Sequence, residues 1–139
     1  ELLPRRTISL QRRFALMILS KASLADEEDL RFLTDDGEDE RVLRHVLETA
    51  IRQPQSNAAA LLHQLEKVLD ARTLSEIQRE LTLLDENLDF ALEVEGARRQ
   101  LQELHAQRRR ARLLEGLREK SLSQLTAEER ELLRSLHQR

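Results

Sequence analysis

The chain has 139 residues, 23 basic and 26 acidic side chains, a formal net charge of -3, no Cys, Trp or Tyr, and only 3 Gly and 2 Pro. Without cysteine there is no disulfide framework, thiolate zinc site or thiol chemistry, and the negative balance argues against general affinity for nucleic acid. Leu, Ala, Glu and Arg dominate and breakers are few, which predicts an all-α fold.

The chain begins at Glu1 rather than Met, which points to a piece cut from a longer protein. A first helix is expected over residues 6–20, where FALMIL is apolar all round, the mark of a central, buried helix. The same stretch does not read as a signal peptide, because Arg12 and Arg13 interrupt the apolar region. No apolar run approaches the roughly 18 residues of a membrane span, so a cytoplasmic location is expected.

Residues 26–33 read as a short helix or turn, and TDDGEDE as a loop broken by Gly37. From residue 40 to 52, Val42, Leu43, Val46, Leu47, Ala50 and Ile51 recur with a 3.6-residue period, and Pro54 ends that helix. Asn57 is placed to cap a helix carrying Leu61, Leu62, Leu65, Val68 and Leu69. Thr73 and Glu76 have capping-box spacing and are expected to open a helix with Leu74, Ile77, Leu81 and Leu84. Residues 1–84 thus hold enough apolar faces for a small bundle, the first expected domain.

Residues 85–119 contain no turn cluster and predict one long helix, its apolar pattern failing through HAQRRRAR and resuming at Leu113, Leu114 and Leu117. Gly96 and Gly116 within it favour bending. The tail LREKSLSQLTAEERELLRSLHQR contains a second capping box, Thr126 to Glu129, followed by Leu132, Leu133 and Leu136 at helical spacing. A helix of about 13 residues is marginal alone in water, so that stripe must lie on another helix or on a partner. Residues 85–139 are expected to form a second domain, a long helix turning at KSLSQL into a C-terminal helical hairpin.

Little here suggests catalysis. Gly37, Gly96 and Gly116 are isolated, so no phosphate-binding glycine pattern exists, and the four histidines fall on separate helices without ligand spacing. The acids around Gly37 do not form an EF-hand, because Phe32 and Thr34 occupy positions that need carboxylates. No metal and no cofactor are expected. Charge is uneven: residues 26–40 hold nine acids and one base, whereas residues 98–120 hold eight bases, three acids and one histidine. The run Arg108 to Arg112 has no interleaved aromatic for base stacking and reads first as a solvated helix face, with nucleic-acid binding as a rival.

The layout and three segments resemble the C-terminal, helicase-binding domain of bacterial DNA primase. LTAEERELLRSLHQR is similar to that family's closing segment, a Leu-Ser-x-Glu-Glu-Arg stretch followed by a leucine-rich helix. The helix ending in SKASLA resembles its first helix, and IRQP at residues 51–54 sits where a helix ending in Gln-Pro is expected. The resemblance implies a recruitment module without an active site of its own, belonging to a primase whose polymerase domain precedes it. It implies that the terminal hairpin docks on the N-terminal domains of the hexameric replicative helicase, through Leu132, Leu133, Leu136 and Gln138. It also implies a pocket for the acidic, Phe-ended C-terminal tail of single-stranded-DNA-binding protein around Leu10, Gln11, Arg12 and Ala15. Where the family carries a lysine on the fifth helix this chain has Glu76, leaving Arg72 or Arg79 to supply the charge, and Arg134 stands where some relatives have an aromatic residue. Rival expectations are a helical adaptor, a domain like the helicase's own N-terminal domain, or a nucleic-acid binder using Arg108 to Arg112.

Overall fold

The computed structural model describes residues 8–34, 37–118 and 126–137, all helical or connecting, with no strand among them. Six α-helices occur in the described residues: α1 (Leu10–Ser20), α2 (Glu38–Arg52), α3 (Ala58–Leu65), α4 (Ala71–Thr82), α5 (Phe90–Arg118) and α6 (Ala127–His137). Two 3-10 turns, Ala22–Leu24 and Glu27–Phe32, join α1 to the loop before α2. The chain divides into two compact units, residues 1–102 and 103–139.

The first unit is organised around α1. Phe14, Ala15, Leu16, Met17, Ile18 and Leu19 are all buried, as expected of a helix without a polar face. They pack with Val42, Leu43, Val46 and Leu47 of α2, Leu61 and Leu65 of α3, Ile77 of α4, and Val94, Ala97 and Leu101 of α5. The first three turns of α5 therefore belong to the bundle core. This explains why the division falls inside α5, between Gln102 and Glu103, rather than at residue 84.

Capping decides where each helix begins. The first helix starts at Leu10, because the Ser9 hydroxyl accepts from the Arg12 backbone N–H at 3.1 Å; the earlier part of the expected span, residues 6–7, lies outside the described residues. The second starts two residues earlier than its apolar period implies, behind Gly37, whose φ of 118° a side chain would strain. Asn57 caps α3 as its position implies, accepting from Ala60 at 2.9 Å. The expected Thr73 to Glu76 box is not the start of α4. Asp70 accepts from the Thr73 N–H at 2.7 Å and begins the helix a turn earlier, so Thr73 is interior and buried. The long helix starts at Phe90 rather than Asp85, since Asp89 accepts from Leu92 and residues 85–88 close a turn of their own.

Two arginines tie polar groups into the bundle. Asp29 is fully buried (0% exposed) at the end of the Asp26 capping box, and Arg98 of α5 meets it with two parallel bonds, Nε to Oδ1 at 2.6 Å and Nη2 to Oδ2 at 2.9 Å. The same Nη2 donates to the Leu24 carbonyl at 2.9 Å, and the guanidinium lies 5.9 Å from the centroid of the Phe14 ring. The Asp29 hydrogen bond, the leading cause, and the carboxylates nearby outweigh desolvation and hold the Arg98 pKa above its ordinary value. Replacing one partner of a buried pair leaves the other charge uncompensated, at a cost of about 3–5 kcal/mol. Arg98→Ala should therefore lower the denaturant midpoint of the bundle sharply, while Arg99→Ala, one residue on and exposed, leaves it within about 0.5 kcal/mol of the parent by chemical denaturation.

Candidate functional site

The pocket expected on α1 is not open. Gln11, Arg12 and Ala15 are buried, Leu10 is half-buried against the core, and Arg12 is only 6% exposed. Its guanidinium is already committed: Nε and Nη2 donate to Asp39 Oδ1 at 3.2 and 2.9 Å, and Nη1 donates to Glu80 Oε1 at 3.0 Å. The Ser9 hydroxyl completes the cluster by donating to Asp39 Oδ2 at 2.6 Å. Burial opposes the charge on Arg12, but the Glu80 hydrogen bond and the charges of Glu80 and Asp39 outweigh it and raise the pKa. Arg12 thus joins α1 to α2 and α4, and buried with both carboxylates it is spent inside the bundle.

Arg72 and Arg79, the other basic residues expected at that pocket, separate. Arg79 is exposed on α4, whereas Arg72 lines a cleft of about 490 Å³ between α2 and the start of α4. Its walls include Arg41, Val42 and His45 from one side and Val68, Leu69, Asp70, Thr73 and Glu76 from the other, with Glu38 at the end. The acids there have internal work. Glu38 accepts from the Thr73 hydroxyl at 3.0 Å, and Asp70 caps α4. Neither Arg41 nor Arg72 forms an ion pair among the described residues, and Val68 beside them is 53% exposed. Arg41 and Arg72 share this cleft with Glu38, Asp70 and Glu76, Arg72 acting on Asp70 through space, and Val42, Val68 and Leu69 supply its apolar part. The cleft was not legible from local pattern: it depends on α2 meeting α4 across the Glu38 to Thr73 bond, a contact that no spacing announces.

The second unit contains the far part of α5 and α6. Thr126 and Glu129 form the expected reciprocal cap, Thr126 N–H to Glu129 Oε1 at 3.0 Å and Glu129 N–H to Thr126 Oγ1 at 3.1 Å. Leu132 is half-buried; the side chains of Leu133 and Leu136, and all of Gln138, lie outside the described residues, as does the KSLSQL turn. On α5, Leu117 is buried and Leu114 half-buried, while Leu113 is 46% exposed. The helix is continuous through Gly96 and Gly116.

No cluster of metal-ligating side chains occurs among the described residues, and none of their helices is long and apolar enough to cross a membrane. Neither a known family, nor a curated protein, nor a solved structure matches this chain.

Two outcomes distinguish the buried arginine from the open one. Arg12→Glu sets a third carboxylate against Asp39 and Glu80 and should lower the melting temperature severely, whereas Arg72→Glu should leave it nearly unchanged. Asp70 supplies a pH test. The Thr73 N–H, first, with Arg72 through space, holds its pKa below the ordinary aspartate value. Its contribution is therefore fully present above the unfolded aspartate pKa and is lost as pH falls through the lower, folded value. Asp70→Asn should be less stable than the parent near neutral pH, with the gap in melting temperature closing in strong acid.

Proposed function

We infer that this chain is a recruitment module, the helicase-docking domain of a bacterial primase, and that its bundle is a scaffold while α5 and α6 carry the docking unit. The observation that supports this best is the independent, reciprocally capped start of α6 in a unit distinct from the bundle. An eleven-residue helix gains too little from its own backbone bonds to persist alone. Its leucine stripe must be covered, in part by the last turns of α5 and in part by a partner. In this reading the partner is the N-terminal domain collar of the hexameric replicative helicase, met by Leu132, Leu133, Leu136 and Gln138, in the cytoplasm at the replication fork. Catalysis belongs to a polymerase domain elsewhere in the primase, and this module acts on priming only through recruitment.

The tail of single-stranded-DNA-binding protein, the second partner in this reading, is assigned to the cleft with Arg41 and Arg72 rather than to α1. The supporting point is charge availability: Arg12 is engaged by Asp39 and Glu80, while Arg41 and Arg72 form no ion pair among the described residues.

Removing residues 119–139 separates scaffold from docking. The shortened chain keeps every core side chain of the bundle, so it should unfold cooperatively in a thermal melt yet fail to bind purified helicase N-terminal domains. In the full chain, Leu132→Asp should weaken that binding by roughly thirtyfold or more, the effect typical of an interface anchor, as read by calorimetric titration. Full-strength binding by the shortened chain would remove the docking role from α6.

A further inference from the structure

Along the far half of α5, His105, Arg109, Arg112 and Leu113 line a groove of about 350 Å³. These positions are related by three-, four- and seven-residue steps, so they form one face of the helix rather than a scattered set. Arg109, Arg110 and Arg112 are exposed and none forms an ion pair among the described residues. Arginines three apart on one face repel one another; nearer the bundle, Glu95 of α5 pairs with Arg98 at 3.2 Å and Glu93 with Arg13 of α1 at 3.3 Å. Among the described residues no carboxylate pairs with Arg109 or Arg112. At the end of the groove Leu113 presents an apolar side chain, 46% exposed.

We propose that this groove is a docking site for an acidic, amphipathic peptide segment of another protein, with two carboxylates meeting Arg109 and Arg112 and one apolar side chain lying on Leu113. The assignment rests on charge complementarity and on the kind of wall. Guanidinium forks take carboxylates in paired bonds, which gives direction as well as attraction. A nucleic-acid strand fits less well: Glu103 and Glu115 flank the basic stretch, Leu113 gives a phosphate nothing, and past Phe90 the imidazole of His105 is the single ring of α5 on which a base would stack. The proposal rests on Arg109, Arg112 and Leu113 of α5 alone, and its test uses no helicase, so it can fail or succeed independently of the docking of α6.

The experiment uses the full chain and three fluorescent probes: an amphipathic peptide of Asp, Glu and Leu, the same peptide with Asn and Gln in place of the acids, and an oligothymidylate. Anisotropy titrations at low and physiological salt should give saturable binding of the acidic peptide and none of the neutral one. Arg109→Glu combined with Arg112→Glu should weaken that binding about tenfold or more. Leu113→Asp should weaken it several-fold, and Arg99→Glu, an exposed charge on the bundle part of α5, should change it less than twofold. Unchanged helicity by circular dichroism establishes that the variants are folded. The proposal is overturned if the acidic peptide does not bind, if the double charge reversal binds as well as the parent, or if the oligothymidylate binds more tightly and loses its binding in the same variant. Self-association of the parent chain that the double reversal abolishes, with no peptide binding, would assign the groove to a second copy instead.

Discussion

Everything in the first unit follows from the need to cover α1 on all sides. From Phe14 to Leu19 it offers water no polar face, and a helix of this kind is stable only when sheathed. Four other helices do the sheathing, and the last of them is the first part of α5. This constraint accounts for the placement of both committed arginines. Arg12, at the entry to the apolar stretch, holds α2 and α4 through Asp39 and Glu80; Arg98, across the Phe14 ring, holds the turn around Asp29 to α5. Buried ion pairs add little net stability compared with apolar packing, but a single broken one is expensive, so they select one arrangement of the sheath over its alternatives.

The same covering requirement explains why α5 serves two purposes. Its early turns complete the bundle with Val94, Ala97 and Leu101; past Gln102 its apolar residues no longer belong to that core, and a second unit begins. Along that second stretch Arg109, Arg110 and Arg112 form no ion pair among the described residues, whereas within the bundle Glu93 pairs with Arg13 and Arg98 with Glu95 and Asp29. In the reading proposed above, the bundle is the scaffold and the second unit carries the surface on which a partner would act.

Much of this was legible in the sequence because it depends on local periodicity and capping. The buried α1, the α2 stripe, the Asn57 cap and the Thr126 to Glu129 box all appear where their residues imply. Legibility failed where long-range contacts or competing caps decide. Thr73 has the spacing of a cap, but Asp70 is an equally good one three residues earlier and wins the helix start, burying Thr73 against Glu38. Arg12 looks like a surface cation on an amphipathic turn; only the distant Asp39 and Glu80 reveal that it is spent inside. The cleft beside Arg41 and Arg72 was likewise invisible, since it is defined by residues of α2 and α4 that no local spacing brings together.

The central claim is that recognition resides in the second unit and scaffolding in the first. Amide hydrogen exchange on the full chain, with and without the purified N-terminal domains of a replicative helicase, tests it most directly. Binding should slow exchange in α6 and in the last turns of α5 around Leu113 to Leu117, while α1, α2 and the Arg98 turn exchange as they do in the free chain. Equal exchange everywhere in the presence of saturating helicase, or protection centred on α2 and α4 instead of α6, would contradict the account.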